Sequence, residues 1–142
     1  MASVTLTAAS IKPLNGAITR RGTAGATLTP GAAVYLDTGS NGWKLADADA
    51  QASAMARGIV VSDGVGSTSF ASGVAVDIVV FGPVDGFSGM TVGSNVFNSV
   101  TAGEIDQTAP ALTGDYPFAI GWAASASVLF VQPQISVPTD NS

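Results

Sequence analysis

The chain has 142 residues, 46% of them hydrophobic and 11% charged, with ten acidic side chains against five basic ones and a net charge of −5. That length matches one domain, long enough to bury about 68–70% of the surface its unfolded form exposes. With no cysteine and no histidine, the composition excludes disulfides, zinc–thiolate and iron–sulfur centres, cysteine nucleophiles, Ser-His-Asp triads and imidazole acid–base chemistry.

An acidic chain with scattered lysines and arginines is a poor match for nucleic acid, whose backbone selects clustered positive charge. The mean hydropathy is +0.41, yet no apolar run approaches the ~20 residues a spanning helix needs. The sequence starts Met1-Ala2-Ser3-Val4-Thr5, with no basic segment followed by an apolar one, as a secretory signal requires. The expectation is a soluble protein made in the cytoplasm, with neither nucleic acid nor membrane as partner.

In chain order, residues 1–21 read as an N-terminal arm. Val4-Thr5-Leu6-Thr7 alternates as an extended strand does, and Pro13 interrupts pairing. Leu14 follows, and Arg20-Arg21 is the only basic pair in the chain. Such an arm is expected to leave the core and lie on a neighbour, which makes Leu14, Arg20 and Arg21 candidate interface residues. Residues 22–135 then read as a single β domain. Short β-branched and aromatic runs at residues 32–36, 58–61, 74–81, 94–97 and 127–131 are mostly bounded by glycine, proline, asparagine or aspartate. This pattern predicts an all-β fold, a compact barrel or sandwich with at most one short helix.

The clearest hairpin runs through Val34-Tyr35-Leu36-Asp37, turns through Thr38-Gly39-Ser40-Asn41-Gly42, where Asn41-Gly42 suits a positive φ, and returns through Trp43-Lys44-Leu45. Residues 47–57 are alanine-rich, with Asp47 or Asp49 as a cap and Gly58 as a stop. They read as a helix or single helical turn, with an alanine-rich loop as the alternative. A second hairpin is expected from Val96-Phe97-Asn98 through Thr101-Ala102-Gly103 to Ile105-Asp106. Residues 136–142 read as a loose C-terminal tail.

The two halves can be aligned with one another, either as a duplicated β-hairpin or as chance matches that a Gly/Ala/Val-rich composition generates. Leu28-Thr29-Pro30-Gly31-Ala32-Ala33-Val34-Tyr35 aligns with Met90-Thr91-Val92-Gly93-Ser94-Asn95-Val96-Phe97. Gly42-Trp43-Lys44-Leu45 aligns loosely with Gly103-Glu104-Ile105-Asp106, and Arg57-Gly58-Ile59-Val60 with Ile120-Gly121-Trp122-Ala123. A duplicated hairpin followed by a glycine-led strand is the expectation.

Catalytic motifs do not emerge. Gly64-Val65-Gly66 lacks the third glycine of a dinucleotide loop and the lysine of a P-loop. Asp47-x-Asp49 opens like a calcium loop but meets Ala52 and Gly58 where glycine and glutamate are required. The remaining carboxylates are spread among turns, so a carboxylate hydrolase would need two of them about 5–9 Å apart in a deep pocket. No cofactor or metal is expected. Among the aromatics, Trp43, Trp122, Tyr35, Phe81, Phe97, Phe118 and Phe130 fall in or beside strands and are expected mostly in the core. Phe70 and Phe87 lie in glycine- and serine-rich loops, where each either anchors an interface or folds back to cover the barrel end.

Residues 16–37, Trp43-Lys44-Leu45-Ala46-Asp47, the glycine-led strand after the alanine-rich segment and the closing Ile120-Gly121-Trp122-Ala123 resemble small virion proteins of tailed bacteriophages. The resemblance is to the capsid decoration, or cement, class, and it spans roughly residues 16–132. It implies a homotrimer on the outside of an icosahedral head, clamping neighbouring major capsid proteins after expansion. Its motifs are structural, so no functional residue is carried over. A tail, fibre or host-adhesion module is the competing reading, with Phe70 and Phe87 then meeting a glycan or receptor.

Overall fold

The computed structural model of the chain describes residues 4–141. Apart from one eleven-residue strand, its strands are short, because turn residues interrupt the apolar runs. They are β1 (Thr5–Leu6), β2 (Lys12–Pro13), β3 (Ile18–Thr23), β4 (Ala33–Leu36), β5 (Trp43–Leu45), β6 (Gly58–Val60), β7 (Ala75–Asp85), β8 (Phe87–Ser88), β9 (Asn95–Asn98), β10 (Ile105–Asp106), β11 (Ala119–Ala123) and β12 (Leu129–Val131). The fold is all-β, a curled antiparallel sheet that forms a half-barrel. The main sheet runs β10-β9-β11-β12-β7-β6-β4-β5.

Read outward from its centre, that order is the same on both sides: β7-β6-β4-β5 one way and β12-β11-β9-β10 the other. Each half is one unit. A hairpin forms first (β4–β5, β9–β10), a third strand joins the hairpin's first strand (β6 on β4, β11 on β9), and a fourth joins the third. Val34 pairs with Gly58 and Val96 with Gly121, the register that aligning the two halves requires.

The turns repeat too. Ala32 N donates to Thr29 O at 3.1 Å and Ser94 N to Thr91 O at 3.2 Å. Gly31 and Gly93 sit at φ +91° and +85°, the left-handed conformation that a type II turn demands of its third residue. Both glycines then donate to the third strand, Gly31 to Val60 O at 2.7 Å and Gly93 to Ala123 O at 2.8 Å. The hairpin turns show where the loose alignment slips by one residue. Leu36 pairs with Trp43 and Asn98 with Ile105, so Trp43 corresponds to Ile105. The left-handed position is Asn41 (φ 56°) in one turn and Gly103 (φ 80°) in the other.

The units stack in layers. Along a strand, side chains alternate between faces, and each unit uses both. On one face Val34, Val60 and Ile78 of the first unit pack with Ala24, Leu28 and Phe70 in a small core. The curl closes it: Ala24 bridges Trp43, and Gly25 N donates to Trp43 O at 2.8 Å. On the other face Ala33, Ile59 and Val79 join the larger core, which the second unit completes with Val96, Ala123, Leu129 and Val131.

Several expectations change. Residues 4–21 are not a detached arm: β1 pairs with β8, β2 and β3 pair with β7, and Ile11 is fully buried in the larger core. Ile11 supplies apolar surface that a free arm would leave in water. The tail folds back through Asn141, which exchanges hydrogen bonds with Gly114 and Asp115, while Gln51 donates to Pro138 O at 3.0 Å. The first three residues of the expected arm, and Ser142 of the tail, lie outside the described residues. The helix is a single turn, α1 (Gln51–Ala54), without a side-chain cap. Asp47 instead accepts from Asp49 N at 2.9 Å and from Ser53 Oγ at 3.1 Å, and Gly58 opens β6 rather than ending the helix. So short a helix is held by packing, here the buried Ala54.

Candidate functional site

Phe70 and Phe87 are buried, one in each core. Phe70 is held by a reciprocal backbone pair with Leu28, at 2.9 and 2.7 Å, and Phe87 by the β1–β8 pairing. Neither is a loop anchor; each closes one end of a core. Leu14 is half-buried, with its N–H donating to Pro83 O at 2.9 Å. Arg20 is exposed on β3. Arg21 pairs across the strands with Asp77 at 3.0 Å, so the aspartate inside β7 is answered within the chain. These five residues form no common site.

The structure assembles a different surface. On the second unit's outer face, strand register sets Pro83 beside Phe130, Phe130 beside Trp122, and Trp122 beside Asn95. Phe81 flanks this row, opposite Ile18 of β3. The Trp122 and Phe130 rings stack at 5.2 Å with 23° between planes, and Phe81 meets Phe130 edge-on at 5.2 Å and 86°. Trp122 Nε1 donates to Gln132 Oε1 at 3.2 Å, which fixes the indole. Ile18 is 54% exposed, Phe81 42% and Trp122 37%, and Asn95 is exposed. None of these residues carries charge.

The expectation that Phe81, Trp122 and Phe130 are core residues is therefore corrected. Leu129 and Val131 take the inward positions of β12 and leave Phe130 facing out. One signal was available: Gln132 lies two residues after Phe130 and shares its face, and a glutamine there marks a wet side.

Acidic side chains serve turns. An open groove of about 480 Å³ is lined by Asn98, Asp106, Thr108, Pro110, Leu112 and Asp115, among others. There Asp106 accepts from Thr108 N at 2.9 Å and Asp115 from Leu112 N at 3.0 Å. In the loop after β6, the Ser67 hydroxyl and then the Val65 amide hold the Asp63 carboxyl below the usual carboxylate range. Among the described residues no group of three or more acidic side chains is placed to hold a metal ion, and no helix is long and apolar enough to cross a membrane. The aromatic row leaves uncharged apolar surface open to solvent, and burial of such surface is favourable. In comparisons with known proteins, no family model matches the chain and no curated protein matches it in sequence.

Proposed function

We propose that the chain is a structural protein of tailed-phage virions, made in the host cytoplasm, that binds the outside of the capsid and clamps neighbouring major capsid proteins. It acts as a homotrimer, without a cofactor and without chemistry. The observation that carries this reading is the uncharged aromatic row of Phe81, Trp122 and Phe130, held on a twin-core β body. The resemblance of residues 16–132 to decoration proteins supplies the setting.

The energetics suit the role. A specific interface buries about 800 Å² per partner. A trimer repeats its contact, so individually weak contacts sum to firm retention. Binding only the expanded lattice stabilises that lattice by mass action. Copurification with filled heads at a fixed ratio to the capsid protein is the expected result, with heads lacking the chain failing sooner under heat or low ionic strength. Heads that survive equally well without it would end the proposal.

A tail, fibre or host-adhesion module is the second reading. It is favoured by amides beside an exposed indole, Gln132 and Asn95 flanking Trp122, an arrangement that also suits a glycan. Imaging the chain on tails, or blocking adsorption with free protein, would select it.

A further inference from the structure

We infer that the exposed turn Leu14-Asn15-Gly16-Ala17 is a site of spontaneous deamidation, where Asn15 converts to aspartate or isoaspartate as the chain ages. The inference is independent of the decoration reading.

The sequence holds the Asn-Gly pair twice, at 15–16 and at 41–42. Glycine favours the reaction because it leaves its own nitrogen unshielded. In the first step the Gly16 nitrogen attacks the side-chain carbonyl carbon of Asn15. That C–N bond forms, the bond to Nδ2 breaks, and Nδ2 leaves as ammonia with the Gly16 amide proton. Water then opens the resulting succinimide at one of its two carbonyls. Opening at the side-chain carbonyl restores the ordinary backbone and leaves aspartate. Opening at the main-chain carbonyl leaves isoaspartate, with an extra methylene in the main chain between β2 and β3. Either product adds one negative charge to a chain already at −5.

Geometry separates the two sites. Ring closure needs the peptide unit between the two residues to rotate until the glycine nitrogen faces the side-chain carbonyl. At the first site the turn is pinned at its ends: Leu14 N donates to Pro83 O at 2.9 Å, and Ala17 N to Leu14 O at 3.1 Å. With Gly16 at φ +95°, this is a type II turn, whose central peptide takes no part in the closing bond. Among the described residues, neither Asn15 nor the Gly16 N–H makes a hydrogen bond. Both residues are exposed, and beyond its chain neighbours nothing lies within 4 Å of where a Gly16 Cβ would sit. The central peptide is free to swing.

The second site is clamped. Gly42 is buried. Its N–H donates to Ser40 Oγ at 3.3 Å, and its carbonyl accepts from Asp37 N at 2.9 Å. A Cβ on Gly42 would lie 2.7 Å from Gly25 Cα, so this peptide rotates only if the two segments part. A site held in this way reacts through local opening alone.

Peptide mapping by mass spectrometry tests this on the folded full chain, aged in mildly alkaline buffer. Cleavage after lysine and arginine, which the Lys12-Pro13 bond resists, places Asn15 in peptide 1–20 and Asn41 in peptide 22–44, each with a single asparagine. Conversion at residue 15 is expected to run about tenfold or more faster than at 41, with isoaspartate among the products. Denaturant is expected to bring the two rates together. Equal rates in the folded chain would overturn the inference, since the turn would then select nothing. A difference that persists in denaturant would assign the selectivity to sequence and overturn it as well. So would silence at residue 15 while both sites convert in denaturant, which would show that the turn holds its central peptide. Aspartate without any isoaspartate would mean direct hydrolysis of the side-chain amide, and would remove the ring on which the argument depends.

Discussion

The two units share a backbone and differ in what covers them. Where the strands must approach closely, both use glycine: a Cβ at Gly58 would overlap the carbonyl oxygen of Val79, and one at Gly121 that of Phe130, the corresponding residue. The shared geometry is therefore fixed by main-chain proximity, while the side chains on it are free to diverge. Alanine at either glycine would push two hydrogen-bonded strands apart. Gly58→Ala and Gly121→Ala are each expected to destabilise by about 4 kcal/mol or more, in the range of severe backbone and packing lesions. Urea unfolding measures both. A tolerated substitution at only one of the two positions would break the equivalence.

Coverage is the second point of comparison. Ile59 is fully buried between the units, and its counterpart Trp122 lies on the open face. Ile59→Ala is expected to cost about 2–5 kcal/mol through lost transfer energy and a cavity. Trp122→Ala removes a larger side chain but mainly a stack on Phe130 and one exposed hydrogen bond, for about 1 kcal/mol. If the tryptophan proved the costlier loss in the isolated chain, the row would be part of the fold rather than a contact surface.

Much of this architecture was legible in the residues. Asn41-Gly42 and Gly103 marked the hairpins, and the Thr-x-Gly turns with the glycines at 58 and 121 carried the repeat and its register. Facing was barely legible. Phe130 and Val131 are both apolar, and Gln132 alone marks the outward one. Phe70 sits among glycine and serine, yet its burial depends on Leu28, far away in sequence. The arm failed for the same reason, since Ile11 reaches its core only through long-range packing. The aromatic row was invisible as a group because it assembles from β7, β11 and β12, with residues brought together only by register.

Asn98 sharpens the comparison where the units differ in polarity. Its counterpart Leu36 is exposed, whereas Asn98 is fully buried. Its Nδ2 donates to Ala54 O at 3.3 Å and Tyr116 O at 3.0 Å, and its Oδ1 accepts from Phe118 N at 3.0 Å. It thus ties α1 to the approach of β11. Asn98→Leu copies the first unit's residue but takes away the side-chain partners of Tyr116 O and Phe118 N, while Ala54 O keeps its bond from Ala56 N. A loss of about 2–4 kcal/mol is expected, read as a lower thermal midpoint, and a neutral outcome would show that this crosslink is dispensable.

The smallest expected difference lies in the hairpin turns. Asp37 begins one and Ser99 the corresponding place in the other. Asp37 accepts from Ser40 Oγ at 2.8 Å and pairs with Lys44 Nζ at 3.2 Å, and Ser99 Oγ accepts from Thr101 N at 3.0 Å. The Ser40 hydroxyl first, then Lys44, holds the Asp37 carboxyl below its usual range. A carboxyl lowered on folding contributes stability that is complete above its unfolded pKa and lost as pH falls through the folded one. Acid below about pH 4 should therefore loosen the first turn, whereas the Ser99 hydroxyl that holds Thr101 N in the second does not titrate there. Amide exchange at Asn41, whose N–H donates to Asp37 O at 2.8 Å, should accelerate relative to Thr101 once the intrinsic pH dependence is removed. Equal protection of both amides down to the folded pKa would mean that the main-chain bonds hold the first turn without its carboxylate.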